Sequence, residues 1–125
     1  MNTMNWKQKT LVFIAIVIIA GIPMWLSTYT QYLNNPLFSV YAIAITSVTA
    51  GILAFKTKDK KRYILLYTMG AHQVAFIIKM IIDCNADPTN HNMAPFEMII
   101  LIIADAVFGS IAVVAGKGFR TGLKK

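Results

Sequence analysis

The chain has 125 residues, of which 57% are hydrophobic and 14% charged, and its formal net charge is +7. A soluble domain needs about a quarter charged residues to cover its surface, and a disordered chain holds far fewer apolar ones, so both classes are excluded. What remains is a membrane protein, in line with a mean hydropathy of +0.60.

Four apolar segments follow one another at residues 10–30, 36–55, 63–83 and 95–115. Each is about 20 residues long, which at ~1.5 Å per residue matches a ~30 Å hydrocarbon core. Spanning strands would be about half as long and would alternate, whereas residues 11–20 are continuously apolar. The first segment outruns a signal-peptide core and lacks a small-residue cleavage site, so it reads as an anchor. It also contains Gly21 and Pro23. Proline has no amide hydrogen, so the carbonyl of Ile19 loses its usual donor and the helix is expected to kink there. The second segment carries Ala42, Thr46, Ala50 and Ala54 at four-residue spacing with Ser47 and Gly51 beside them, and the fourth carries Gly109, Ala112 and Gly116. Helices in lipid associate through close packing of such small residues, within a chain or between subunits.

The links at 31–35, 56–62 and 84–94 are short. Short links join antiparallel neighbours, so the expected fold is all-α, a single four-helix antiparallel transmembrane bundle over residues 1–125. Eleven of the twelve Lys and Arg residues lie at Lys7 and Lys9, in 56–62 and in 117–125. By the positive-inside rule these regions share the cytoplasmic side, which makes the chain a multi-pass protein of the cell's inner membrane with both termini cytoplasmic. The basic face then meets anionic lipid. Nucleic acid is not an expected partner, because no basic residues interleave with aromatics on a polar platform. Trp25, Tyr29 and Tyr32 fit an outer aromatic belt, and Trp6, Tyr63 and Phe119 an inner one.

The first two segments carry no charge, whereas the last two contain His72, Lys79, Asp83, Glu97 and Asp105. At 100° per residue His72, Lys79 and Asp83 form one stripe, about 20° apart on either side of His72. With the fourth helix running the opposite way, Asp105 comes level with His72 near the bilayer centre. Lys79 then lies ~10 Å and Glu97 ~12 Å further outward, which suggests a second rung between them. Charge in hydrocarbon costs about 3 kcal/mol or more when unpaired, so such residues face the bundle interior and mark ion or proton routes.

The outer loop gathers Asp83, Asp87 and His91, a carboxylate and imidazole set that with Glu97 would suit a divalent metal. Pro88 turns the chain there, and the spacing matches no standard zinc or calcium motif. Cys84 is the single cysteine, so no intrachain disulfide forms. No phosphate loop, nucleophile elbow or Cys-x-x-Cys pair occurs. In length and helix number the chain resembles small multidrug exporters and fluoride channels, which implies a working dimer. The exporters carry a membrane glutamate in helix one, and this chain has none there. The expected function is translocation of a proton, cation or small solute by an oligomer, through the polar site between the last two helices. The alternatives are a structural or accessory subunit of a larger membrane complex and a metal-dependent membrane enzyme using the outer loop, with a non-enzymatic role favoured.

Overall fold

Helix boundaries follow local hydrogen bonds that hydropathy does not register. The computed structural model of the chain describes residues 2–90 and 94–125. Helix α1 (Trp6–Leu26) starts at Asn5, whose side chain accepts from the Gln8 amide at 2.9 Å while the Gln8 side chain accepts from the Asn5 amide at 3.0 Å. The same reciprocal box recurs at Thr28 and Gln31, with distances of 3.2 and 2.9 Å, and starts a separate short helix α2 (Tyr29–Asn34). Each box satisfies two amides that a helix start leaves open. The apolar stretch at 10–30 is therefore two helices, because the capping box at Thr28 and the extended backbone at Ser27 interrupt it.

Three long helices follow: α3 (Leu37–Lys56), α4 (Lys61–Ala86) and α5 (Ala94–Leu123). Among the described residues the architecture is all helical, and α1, α3, α4 and α5 are each long and apolar enough to cross a membrane. Ile18, Ile22, Val48, Ile52, Leu66 and Ile103 are exposed on the outside of the bundle. So much exposed aliphatic surface suits lipid and not water. The chain is a multi-pass membrane protein built as a four-helix bundle, and four crossings bring both termini to one end. That end is called terminal below, and the opposite one distal.

The tightest pairs are not sequence neighbours. α3 and α4 form the middle of the bundle, α1 packs mainly on α4, and α5 packs mainly on α3. Each of these two pairs runs parallel. The small-residue stripe of α3 explains its choice, since Ala42, Thr46, Ala50 and Ala54 are all essentially inaccessible. A methyl group added at Gly116 of α5 would collide with the carbonyl oxygen of Gly51, and one added at Gly51 would lie 3.1 Å from the Ala112 carbonyl. Close backbone approach of this kind is how lipid-embedded helices gain dispersion energy.

The kink site in α1 is resolved by a neighbour. The hydroxyl of Tyr41 on α3 donates to the carbonyl of Ile19 at 3.0 Å, replacing the donor that Pro23 lacks. Trp25 and Tyr32 depart from the expected outer belt. Tyr32 is buried, and the Trp25 indole lies over Gly21 and donates to the Ala75 carbonyl of α4 at 2.9 Å. A buried or half-buried indole N–H needs an acceptor, and a residue at Gly21 with any side chain would displace the ring.

At the terminal end the chain closes on itself. The amide of Lys58 donates to the carbonyl of Asn2 at 3.3 Å, and the amide of Met4 donates to Asp59 at 3.4 Å. Arg120 reaches from α5 to the carbonyl of Thr57. Asp59, which in the sequence is only one acid in a basic turn, is buried beneath the N-terminal segment.

Candidate functional site

Two polar constructions occupy the stripe on α4, and they differ in how completely they are satisfied. The first is distal. Lys79 is fully buried, and its ammonium donates to the carbonyl of Ser27 at 2.6 Å and to Asp83 at 2.7 Å. The Tyr32 ring covers it, with the nitrogen 5.7 Å from the ring centroid. Ser27 is the C-cap of α1, so the ammonium neutralises both a carboxylate and the negative end of a helix dipole. The Ser27 hydroxyl donates to the Met24 carbonyl at 2.7 Å, completing the cap. Three donors of one ammonium thus meet two oxygens and a π face, which ties α1, α2 and α4 together.

The partner of Lys79 differs from the cross-helix rung expected with Glu97. An i, i+4 pair on one helix holds a lysine and an aspartate in register without help from another element. Glu97 lies in the first turn of α5, beside a cavity that Tyr32 and Ser39 also line. Burial pushes the Tyr32 hydroxyl above its ordinary range; the hydrogen bond from Ser39 at 3.4 Å opposes this, and the nearby carboxylates of Glu97 and Asp83 add to it.

The second construction sits about two turns of α4 nearer mid-helix. His72 Nδ1 and Asp105 Oδ2 are 2.7 Å apart, and the residues are 1% and 0% exposed. Helices α4 and α5 run antiparallel, which places the two side chains level near mid-helix. With the ring proton on Nδ1 the imidazole donates to the carboxylate, so Nε2 presents a lone pair. Both Nε2 of His72 and Oδ1 of Asp105 are buried and make no hydrogen bond among the described residues. The same holds for the hydroxyl of Ser47 on α3 and for both amide atoms of Gln73, next to His72. In hydrocarbon each open polar atom of this kind costs several kcal/mol on the order of the desolvation penalty, so the arrangement is not one that packing alone selects. Phe76 and Lys79, both fully buried, fill the space between this pair and the distal end.

The neighbouring elements add no competing charge. α1 beyond Lys9 and α3 before Lys56 contain no charged residue, so besides the pair itself the charged groups of the spanning core are Lys79, Asp83 and Glu97. The site residues inferred from the sequence therefore include two pairs, Lys79 with Asp83 and His72 with Asp105, and Glu97 lines a cavity with Tyr32 and Ser39. Sequence reasoning missed Ser27, Tyr32, Ser47 and Gln73. Gln73 left a signal, as an amide beside a histidine inside an apolar run. The Ser27 carbonyl left none, because a backbone acceptor can belong to any residue.

Two members of the loop set have other partners among the described residues. Among the described residues no group of three His, Cys, Asp or Glu side chains is placed to hold a metal. Asp83 is engaged by Lys79, and Asp87 Oδ1 accepts from the Thr89 amide at 3.0 Å and the Thr89 hydroxyl at 2.9 Å. These bonds, the amide's first, hold the Asp87 carboxyl below its ordinary range. His91 lies outside the described residues. Cys84 is a free thiol, 3.4 Å from the Asn90 carbonyl. Comparison of the chain with protein families, with curated proteins and with solved structures gives no match.

Proposed function

We propose that this membrane protein translocates a proton, alone or coupled to a cation or small solute, with the His72–Asp105 pair as its intramembrane binding site. The observation that carries this reading is the buried 2.7 Å pair with Nε2 and Oδ1 left open. A neutral imidazole beside a carboxylate holds one net negative charge where the dielectric is low. Uptake of a proton at Nε2 converts it to an imidazolium–carboxylate pair with no net charge. The Asp105 carboxylate, 2.7 Å from the ring, is the counter-ion of the protonated imidazole. Lys79 and Asp83 act as a plug between the pair and the distal end, because they are satisfied by each other and by the end of α1.

The terminal end is taken as cytoplasmic and facing anionic lipid, with Lys9 and Arg62 flanking the Tyr63 ring at 5.9 and 4.9 Å from its centroid. The working unit is taken as a homo-oligomer, since four helices this closely packed hold little space of their own; native mass spectrometry in mild detergent counts the copies.

The test is proton flux into proteoliposomes carrying a trapped pH dye, driven by a valinomycin-set potassium potential. The wild type is expected to conduct, and Asp105→Asn to abolish flux while inserting and melting like the wild type. Equal flux in the variant refutes the reading. Absence of flux in the wild type, together with lost stability or assembly in Asp105→Asn and His72→Ala, assigns the pair to helix pairing in an accessory subunit instead.

A further inference from the structure

At the terminal end α1 and α4 start beside each other, and both open on basic residues: Lys7 and Lys9 in α1, Lys61 and Arg62 in α4. Neither first turn contains an acid. The two helices run parallel, so the positive ends of their dipoles add to the same potential. Of the chain's five acids only Asp59 belongs to this end, and it is buried and accepts from the Met4 amide. The basic side chains here therefore have no exposed acidic side chain to meet.

Repulsion spreads such cations apart into solvent, and two of them do the opposite. The Lys9 ammonium, from α1, and the Arg62 guanidinium, from α4, both lie over the ring of Tyr63, at 5.9 and 4.9 Å from its centroid. Arg62 also donates to the Tyr63 hydroxyl at 3.2 Å. An exposed aromatic face attracts a cation weakly and leaves the repulsion between two of them uncancelled. The Tyr63 oxygen accepts from Arg62, so its own hydrogen remains to donate elsewhere. An ammonium, a guanidinium and a phenol thus gather around one ring, and neither cation meets an anion among the described residues. A phosphate answers all three, because it is anionic and accepts a bond from each.

The surroundings decide which phosphate. Tyr63 is 44% exposed and stands in the first turn of a spanning helix, which a bilayer places at the headgroup level. Further along the same side of α4, three and seven residues on, come Leu66 and Gly70. Leu66 is 71% exposed, and a methyl group added at Gly70 would lie 3.6 Å from the Phe13 ring of α1. The strip beneath Tyr63 is therefore apolar and on the outside of the bundle. A free phosphate makes no use of it, whereas a phospholipid sets its phosphate at the ring and an acyl chain along Leu66.

We propose that Lys9, Arg62 and Tyr63 form a headgroup site for one anionic phospholipid of the terminal-side leaflet, its phosphate held by the two cations and the phenol. The proposal rests on the terminal end facing anionic lipid and narrows that general attraction to one place on α1 and α4. It is independent of the proton reading, and binding rather than flux reports on it.

The experiment is native mass spectrometry of the full chain in neutral detergent, titrated with phosphatidylglycerol and separately with phosphatidylcholine. The wild type is expected to bind one phosphatidylglycerol per chain before any further lipid, at least tenfold more tightly than phosphatidylcholine. Lys9→Gln/Arg62→Gln is expected to weaken that first binding at least tenfold, and Tyr63→Phe, which keeps the ring, by a smaller factor. Lys56→Gln/Lys58→Gln removes the same charge at the end of α3 and is expected to stay within twofold of the wild type. Affinity within twofold of the wild type in Lys9→Gln/Arg62→Gln overturns the proposal. An equal loss in Lys56→Gln/Lys58→Gln overturns it as well and leaves only diffuse attraction of lipid to the basic end. Retention of the lipid in excess inorganic phosphate supports the lipid as occupant, and its displacement overturns that assignment.

Discussion

Replacing Lys79 by methionine tests whether the distal plug is structural. The substitution preserves much of the buried volume and removes the ammonium, so what is lost is charge and hydrogen bonding. The ammonium makes bonds of 2.6 and 2.7 Å to Ser27 and Asp83, and both partners are buried. Hydrogen bonds to a charged group contribute about 1.5–3 kcal/mol each, and breaking a buried ion pair on one side costs about 3–5 kcal/mol because the other charge is left without its partner. The expected cost of Lys79→Met is accordingly about 3–5 kcal/mol. Asp83→Asn in the same background removes the stranded charge. The double variant is therefore expected to be less destabilised than the sum of the singles by about 2 kcal/mol or more. The assay is equilibrium unfolding in mixed micelles, with hydrogen exchange at residues 27–31 as a local readout of the freed end of α1. A loss under about 1 kcal/mol in Lys79→Met, or additivity of the two changes, refutes the account of this site as a tie between α1 and α4.

Tyr41→Phe is expected to cost about 1 kcal/mol by opening the Ile19 carbonyl, and to cost nothing further in a Pro23→Ala background, where an intrahelical amide supplies the donor; an equal loss in both backgrounds in the same unfolding assay contradicts this. Gly116→Ala is expected to destabilise the bundle by about 1–3 kcal/mol through contact with the Gly51 carbonyl, whereas Gly118→Ala and Gly122→Ala, which meet nothing within 4 Å, stay within about 0.5 kcal/mol or gain. For Asp87, an NMR titration is expected to place the midpoint below the ordinary value of 3.8, and Thr89→Ala to move it back part of the way. Because the folded value lies below the unfolded one, the contribution of Asp87 to stability is present above pH 3.8 and is lost as pH falls through the folded midpoint.

Composition and periodicity by themselves determined the class of this protein. A chain with so few charges and four 20-residue apolar runs has to satisfy its backbone within helices, and the number of runs follows from bilayer thickness. The stripe of His72, Lys79 and Asp83 and the level position of Asp105 were also legible, because helical periodicity and the antiparallel turn between α4 and α5 are properties of the chain order. The deficit at Ile19 was readable too, since it follows from Pro23 alone.

Only the tertiary structure decided which partners answer these demands. Lys79 had carboxylates at Asp83 and Glu97 within reach by spacing, and the choice fell to Asp83 with the Ser27 carbonyl because α1 ends beside it. Tyr41 answers Ile19 across 22 positions of sequence, and a backbone carbonyl leaves no mark on the residue that bears it. The pairing of α3 on α5 depends on where small residues let backbones meet, not on the length of the links. The contrast between a satisfied Lys79 and an open His72–Asp105 pair depends on atoms and not residue types, which is why it appears only in three dimensions.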